Sequence, residues 1–153
     1  MKKVIDMKIL YIDMDNVLVD FKSGISKLSK NQLLEYAERY DEVPNIFSLM
    51  EPMPGAIEAF EMLSAKYDTY ILSTAPWHNP SAWKDKIEWV QKHLNNNAYK
   101  RLILSHHKNL NYGDYLIDDR LKNGADKFKG EHIHYGTEKF PDWRSVLNHL
   151  IKV

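Results

Sequence analysis

Lys8-Ile9-Leu10-Tyr11-Ile12-Asp13-Met14-Asp15 is the stretch whose reading decides the fold. Four apolar residues in succession suit a strand buried on both faces, and the run stops on two carboxylates. An unpaired carboxylate is costly inside a core. The pair therefore marks the point where the strand emerges at an edge. Working outward, four more apolar runs read as strands: Asp68–Thr74, Arg101–Ser105, Tyr115–Asp118 and His132–Tyr135. Helical patterns lie between them. Residues 22–40 read as one or two short helices with Asn31 as a candidate N-cap. A short apolar turn at 46–50 sits among Pro44, Pro52 and Pro54. Residues 55–65 form a helix opened by Pro54-Gly55. A helix over 81–94 carries Trp83, Ile87, Val90 and Leu94 on one face, and Pro141–Ile151 closes the chain as a helix with Pro141 in its first turn.

Strands alternating with helices predict an α/β fold: a doubly wound, mostly parallel sheet covered on both faces. In such sheets ligands gather beyond the carboxyl ends of the strands. Asp13-Met14-Asp15, Ser73-Thr74 and Asp118-Asp119 all fall at strand ends and should share that edge.

The composition leaves room for a small anionic substrate. Among 153 residues, Lys plus Arg is 21 and Asp plus Glu is 21, which gives no footprint for polymeric nucleic acid. There is no cysteine, so disulfides, thiolate catalysis and cysteine-held zinc are excluded. Met1–Asp6 is charged and lacks the apolar run of a signal peptide, and no stretch approaches the roughly 18 apolar residues of a membrane span. The expectation is a cytoplasmic protein with no membrane partner.

Each strand-end cluster has a plain structural reading. An aspartate pair serves as a helix cap or turn, and Thr74 alone reads more readily as a cap than as a ligand. Lys84 and Lys86 both stand near the start of the 81–94 helix, and periodicity does not choose between them. Two acid pairs at one edge, however, repel each other, and a hard cation such as magnesium relieves that repulsion.

Taken in order, Asp13-Met14-Asp15-Asn16-Val17, Thr74, Lys86 and Leu116-Ile117-Asp118-Asp119-Arg120 resemble the signals of the haloacid dehalogenase superfamily. More closely, Asp13–Phe21, Glu51–Ala56, Leu72–Pro76, Lys86–Lys92 and Leu116–Arg120 are similar to the 5'(3')-deoxyribonucleotidases, the cytosolic type C 5'-nucleotidases. The Lys-x-x-Trp-Val-x-Lys match selects Lys86. The resemblance implies a magnesium-dependent phosphomonoesterase acting on nucleoside monophosphates. Asp13 would be the nucleophile and Asp15 the general acid and base. Thr74 and Lys86 would hold the phosphoryl oxygens, with Lys86 also orienting Asp13. Magnesium would be held by Asp13, the backbone carbonyl of Asp15, and Asp118 with Asp119, the inner-shell member of that pair being left open. Two departures stand out: Asn16 replaces a usual Gly, at a position where Asn tolerates left-handed backbone, and Ala75 replaces a hydroxyl found in some relatives.

The resemblance also implies a catalytic core over 1–17 and 55–153 and a small helical cap over 18–54, and it leaves room for a homodimer. Phe21, Phe47, Trp77 and Lys108 are the candidate substrate contacts, whereas Tyr36 and Tyr40, at helical spacing, read as packing. His106-His107 reads poorly as a metal pair, because adjacent side chains diverge. The alternatives are a phosphatase for another small ester such as a sugar phosphate, a signalling receiver domain, and a non-catalytic binder. A receiver needs a lone aspartate where strand two here ends in Ser73-Thr74, and a binder has no use for a general acid such as Asp15.

Overall fold

The computed structural model describes residues 7–152; the charged stretch Met1–Asp6 and Val153 lie outside the described residues. The elements follow as β1 (Ile9–Ile12), β2 (Val19–Asp20), α1 (Phe21–Ile25), α2 (Lys30–Glu35), β3 (Glu51–Pro52), α3 (Ala56–Lys66), β4 (Asp68–Ser73), α4 (Pro80–His93), β5 (Leu102–Leu104), β6 (Tyr115–Asp118), β7 (Glu131–His134) and α5 (Trp143–Ile151). Strands β5-β4-β1-β6-β7 make one sheet in that order, every pairing parallel. The chain winds outward from β1 to β4 and β5, then returns to the other side for β6 and β7. The reversal leaves a crevice at the carboxyl ends of β1 and β6, the usual ligand position in such sheets. No helix of the described residues is long and apolar enough to cross a membrane.

Period-two alternation sorts the sheet residues. Leu10, Ile12, Ile71, Ile117 and Ile133 face one cluster with Ala59, Phe60 and Leu63 of α3, Trp89 and Val90 of α4, and Val146 and Leu150 of α5. Tyr11, Leu72 and Leu116 face a smaller cluster closed by Ala125 and Phe128. The connections from β5 to β6 and from β6 to β7 carry only 3-10 turns, so the second face is covered by turns rather than by long helices.

Residues 18–54 leave and rejoin the sheet through a small antiparallel ribbon, Val19 opposite Pro52 and Asp20 opposite Glu51. Val43, Ile46, Phe47 and Met50 of this segment belong to the same buried cluster as the sheet. Helix α4 fastens it. The Asn79 side-chain amide donates to the carbonyls of Asp41 (2.8 Å) and Val43 (3.0 Å), and the Ser81 hydroxyl accepts from the Asn45 N–H (2.8 Å). The Trp89 indole donates to the Met50 carbonyl (3.0 Å). These side chains pair with backbone groups of an irregular segment, and the Val43 carbonyl accepts from the Ile46 N–H as well.

Several local expectations are corrected. The cap of α2 is Ser29, in a capping box with Gln32, and Asn31 lies inside the helix; Ser29 wins because it alone has a Gln three residues on to answer it. The cap of α5 is Asp142, paired with Ser145, so Pro141 precedes the helix instead of opening it. On α4, Trp83 and Ile87 are 37% and 40% exposed. The buried side is Ala82, Asp85, Lys86, Trp89 and Val90. Two charged residues occupy that inward face, so the apolar stripe holds at Val90 and Leu94, both buried, and fails at Trp83 and Ile87.

The turn after β1 is tight. Val17, Leu18 and Val19 all donate their N–H to the Met14 carbonyl, and Asn16 donates to Val19. Asn16 has φ 61°, in the left-handed region. Replacing it with Ala should cost about 1–2 kcal/mol, and replacing it with Gly should cost less. Urea unfolding of the two variants beside the parent chain checks this; equal loss in both would mean that the Asn16 side chain, not its backbone, holds the turn.

Candidate active site

Strand β1 delivers Asp13 to the crevice, and the Asp13 N–H donates to the Ile117 carbonyl (2.9 Å), which extends the pairing with β6 by one residue. Strand β6 ends in Asp118, followed by Asp119. Carboxylate oxygens of Asp13, Asp118 and Asp119 all lie within 4.8 Å of one another. The 3-10 turn Lys108–Leu110, after β5, brings in a buried ammonium. Lys108 Nζ donates to Asp13 Oδ1 (2.9 Å) and Asp118 Oδ2 (2.6 Å), while Asp118 Oδ1 accepts from the Arg120 N–H (2.9 Å).

A second ion pair forms beside the first. Lys86 is fully buried. Its ammonium lies 3.1 Å from each oxygen of Asp15, donates to Ser73 Oγ (2.9 Å) and sits 4.4 Å from the centre of the Phe47 ring. The two lysines therefore divide the work differently from expectation. Lys86 meets Asp15 rather than Asp13, and it is Lys108 that holds Asp13. The position of Lys108 past a strand end is visible in the sequence, but its partner 95 residues away is not.

Burial raises the pKa of Asp15, with the Lys86 charge opposing. Asp118 is pushed up to about 6, first by burial and then by the Asp13 charge. Asp119 is pushed up to about 7 by burial, then by Asp13 and Asp118. Burial disfavours the Lys108 ammonium, but Asp13 and Asp118 outweigh it and its pKa is raised. Four carboxylates against two ammonium groups leave two negative charges in excess when all are ionised. An all-oxygen donor set with that excess fits a small hard dication.

Above the acids opens a cavity of about 530 Å³, within the roughly 300–1,000 Å³ of small-molecule sites. Phe21 and Tyr40 line it from the 18–54 segment, Trp77 and His106 from beyond β4 and β5, and Arg120 and Lys122 from beyond β6. Tyr40 thus packs against the core and faces the cavity at once. Phe47 does not line the cavity. It is 2% exposed and packs edge-on against Phe21, 5.8 Å between centres. Its place among substrate contacts is corrected to a support beneath Phe21 and Lys86. Trp77 is 74% exposed at the rim, with His106 against its edge. His106 and His107 stand outside the acid cluster. The Thr74 hydroxyl lines the cavity and donates to the Ser105 carbonyl (2.7 Å).

A family model described as "5' nucleotidase, deoxy (Pyrimidine), cytosolic type C protein" matches residues 23–141. A protein of Vibrio phage KVP40, provisionally named 5'(3')-deoxyribonucleotidase, is 63% identical over 97% of this chain and 87% of its own length. The human 5'(3')-deoxyribonucleotidase of cytosolic type is 28% identical over 89% of this chain and 77% of its own. Among solved structures, the magnesium-bound HAD-type hydrolase YfnB of Bacillus subtilis superposes with a TM-score of 0.60, at 10% identity over 96% of this chain and 99% of that one.

The raised carboxylates set a pH dependence. Each binds its proton more tightly folded than unfolded, so their contribution is full below about pH 4, the unfolded value, and is lost as pH rises through about 6 and 7. Without divalent metal, thermal stability should fall between pH 5 and pH 8, and Asp119→Asn should flatten that fall. Thermal melts across this range check it; a melting temperature that rises with pH in the parent chain would overturn the assignment of repulsion to this cluster.

Proposed function

Because the chain belongs to the cytosolic type C family of 5'(3')-deoxyribonucleotidases, among the haloacid-dehalogenase-like hydrolases, we propose that it is a magnesium-dependent phosphatase of deoxyribonucleoside monophosphates working through a phosphorylated aspartate. The observation that carries this reading is the unequal setting of the two first-strand acids. Asp13 shares the Lys108 ammonium with Asp118 and lies against the acid pair, whereas Asp15 has a raised pKa and its own ammonium partner. Two carboxylates two residues apart are thereby fitted for different roles, one as nucleophile and one as proton carrier.

In the first half-reaction an Asp13 oxygen attacks phosphorus and the bond to the leaving oxygen breaks. Asp15 gives that oxygen its proton, so the nucleoside leaves as a neutral alcohol. In the second, Asp15 takes a proton from water, the water oxygen bonds to phosphorus, and the Asp13–phosphate bond breaks to release inorganic phosphate. The Thr74 hydroxyl turns from the Ser105 carbonyl to a phosphoryl oxygen. Lys108 holds Asp13 in line and balances charge on the phosphoryl group. Lys86 fixes the Asp15 carboxyl for both proton transfers. Asp13, Asp118, Asp119 and the Asp15 carbonyl would hold magnesium, which when bound supplies charge neutralisation at the transferring phosphoryl group.

Residues 18–54 act in this reading as the cap. They bring Phe21 and Tyr40 to the cavity that Trp77 also lines, and such rings suit a nucleobase, each stack being worth roughly 1–3 kcal/mol.

The test is phosphate release from 5'- and 3'-monophosphates, deoxy and ribo, with sugar phosphates alongside, in magnesium and in chelator. Deoxynucleotides should turn over only with magnesium. Asp13→Asn should lose at least about a thousandfold, on the order of 4 kcal/mol. Acid-quenched parent enzyme should yield a phosphorylated Asp13 peptide by mass spectrometry. Turnover confined to sugar phosphates would sink the nucleotidase reading, and full activity in Asp13→Asn would sink the mechanism.

A further inference from the structure

Strand β7 carries two histidines that the catalytic account does not use. His132 and His134 stand two residues apart, so their rings lie on one face of the strand. The rings stack, with centres 5.2 Å apart and planes inclined by 20°. His132 Nε2 is 3.2 Å from the Asp118 carbonyl, and His134 Nε2 is 3.0 Å from the Asp119 carbonyl. A carbonyl only accepts, so both contacts require the proton on Nε2.

These two carbonyls belong to the acid pair. Consecutive residues of a strand point to opposite faces, yet Asp118 and Asp119 both bring a carboxylate oxygen within 4.8 Å of one from Asp13. The chain must therefore leave strand geometry at this point, and β6 does end at Asp118. Regular pairing reaches that far: Asp118 stands opposite His134, and the Asp118 carbonyl also accepts from the Tyr135 N–H (3.0 Å). Past it, the Asp119 carbonyl accepts from the ring of His134, and the bend is held by side chains instead of by the ladder.

We propose that His132 and His134 are positioning residues: their Nε2–H groups fix the two peptide planes that aim Asp118 and Asp119 at a shared dication. The proposal rests on the magnesium reading above. It assigns the histidines no contact with substrate or metal. The carbonyl bonds set where the carboxylates point, and removing them lets Asp119 swing toward solvent, away from the repulsion of Asp13 and Asp118.

The test uses the full chain and magnesium alone, by titration calorimetry, with thermal melts of each variant in chelator. The double variant His132→Leu with His134→Leu should bind magnesium about tenfold or more weakly, the scale on which partners of metal ligands act. His134→Gln, whose amide nitrogen reaches as far as Nε2, should keep most of the affinity that His134→Asn, whose amide is too short, loses. In turnover, the magnesium concentration for half-maximal rate should rise in the Asn variant while the KM for nucleotide stays unchanged. Where the Leu pair does not fold, the Gln and Asn variants decide. Equal affinity in Gln and Asn variants, or a lowered chelator melting temperature with unchanged magnesium affinity, would overturn the positioning role. No magnesium binding by the unaltered chain would sink the metal reading itself and the positioning role with it.

Discussion

Like charges gathered at one edge of a sheet repel, and that repulsion organises the molecule around it. Parallel pairing of β1 with β6 forces Asp13 against Asp118 and Asp119. Two lysines answer, each buried where an unpaired ammonium would be expensive. Neither stands alone. Lys86 needs Asp15, Ser73 and the Phe47 ring, and Lys108 needs Asp13 and Asp118. Remove the acids and the lysines lose their reason to be inside; remove the lysines and the acids cannot share the edge.

Helix α4 links this electrostatic centre to the wall of the cavity. Its inward face carries Lys86, and the same face grips the 18–54 segment through Trp89, while Asn79 and Ser81 hold it at the start of the helix. Asp85 also faces inward, toward the Ser48 backbone, with a pKa raised by burial. The groups that set the charge around Asp15 and those that set the position of Phe21 and Tyr40 are thus fixed to one rigid element. At the opposite end of the chain α5 plays a comparable part: the Trp143 indole donates to the Val17 carbonyl (2.8 Å) and pins the turn that follows the two first-strand acids.

Much of this is legible in the amino-acid sequence alone. The apolar runs locate the strands, and the strand ends locate the acids, because burial and charge both leave local marks in a sequence. Asn16 announces its left-handed backbone by type. What stays hidden depends on distant partners. The spacing of Lys86 and Lys108 says nothing of which aspartate each will meet, since those pairs span 71 and 95 residues. The buried face of α4 is only half legible from a hydrophobic pattern: Val90 and Leu94 are buried as the pattern has it, but Asp85 and Lys86 take inward positions that it assigns to Trp83 and Ile87. Phe47 passes for a substrate contact because an aromatic ring looks the same in a sequence whether it faces a cavity or supports what does.

The way α4 holds the 18–54 segment carries a consequence for how such a protein can change over generations. Asn79, Ser81 and Trp89 reach the segment through main-chain atoms of Asp41, Val43, Asn45 and Met50, and every residue type supplies a carbonyl, while all but proline supply an N–H. The grip is indifferent to the side chains at Asp41, Val43 and Met50, while Asn45, with φ 67°, is held to a residue that accepts left-handed backbone. Asp41, which faces the cavity, is therefore free to be exchanged without renegotiating the attachment, whereas Tyr40 also packs against the core and, like the buried Val43, Ile46 and Met50, must keep its volume. Selectivity can drift by substitution on one side of the segment while the anchoring helix stays as it is, so that new substrates become reachable without dismantling the chemistry beneath.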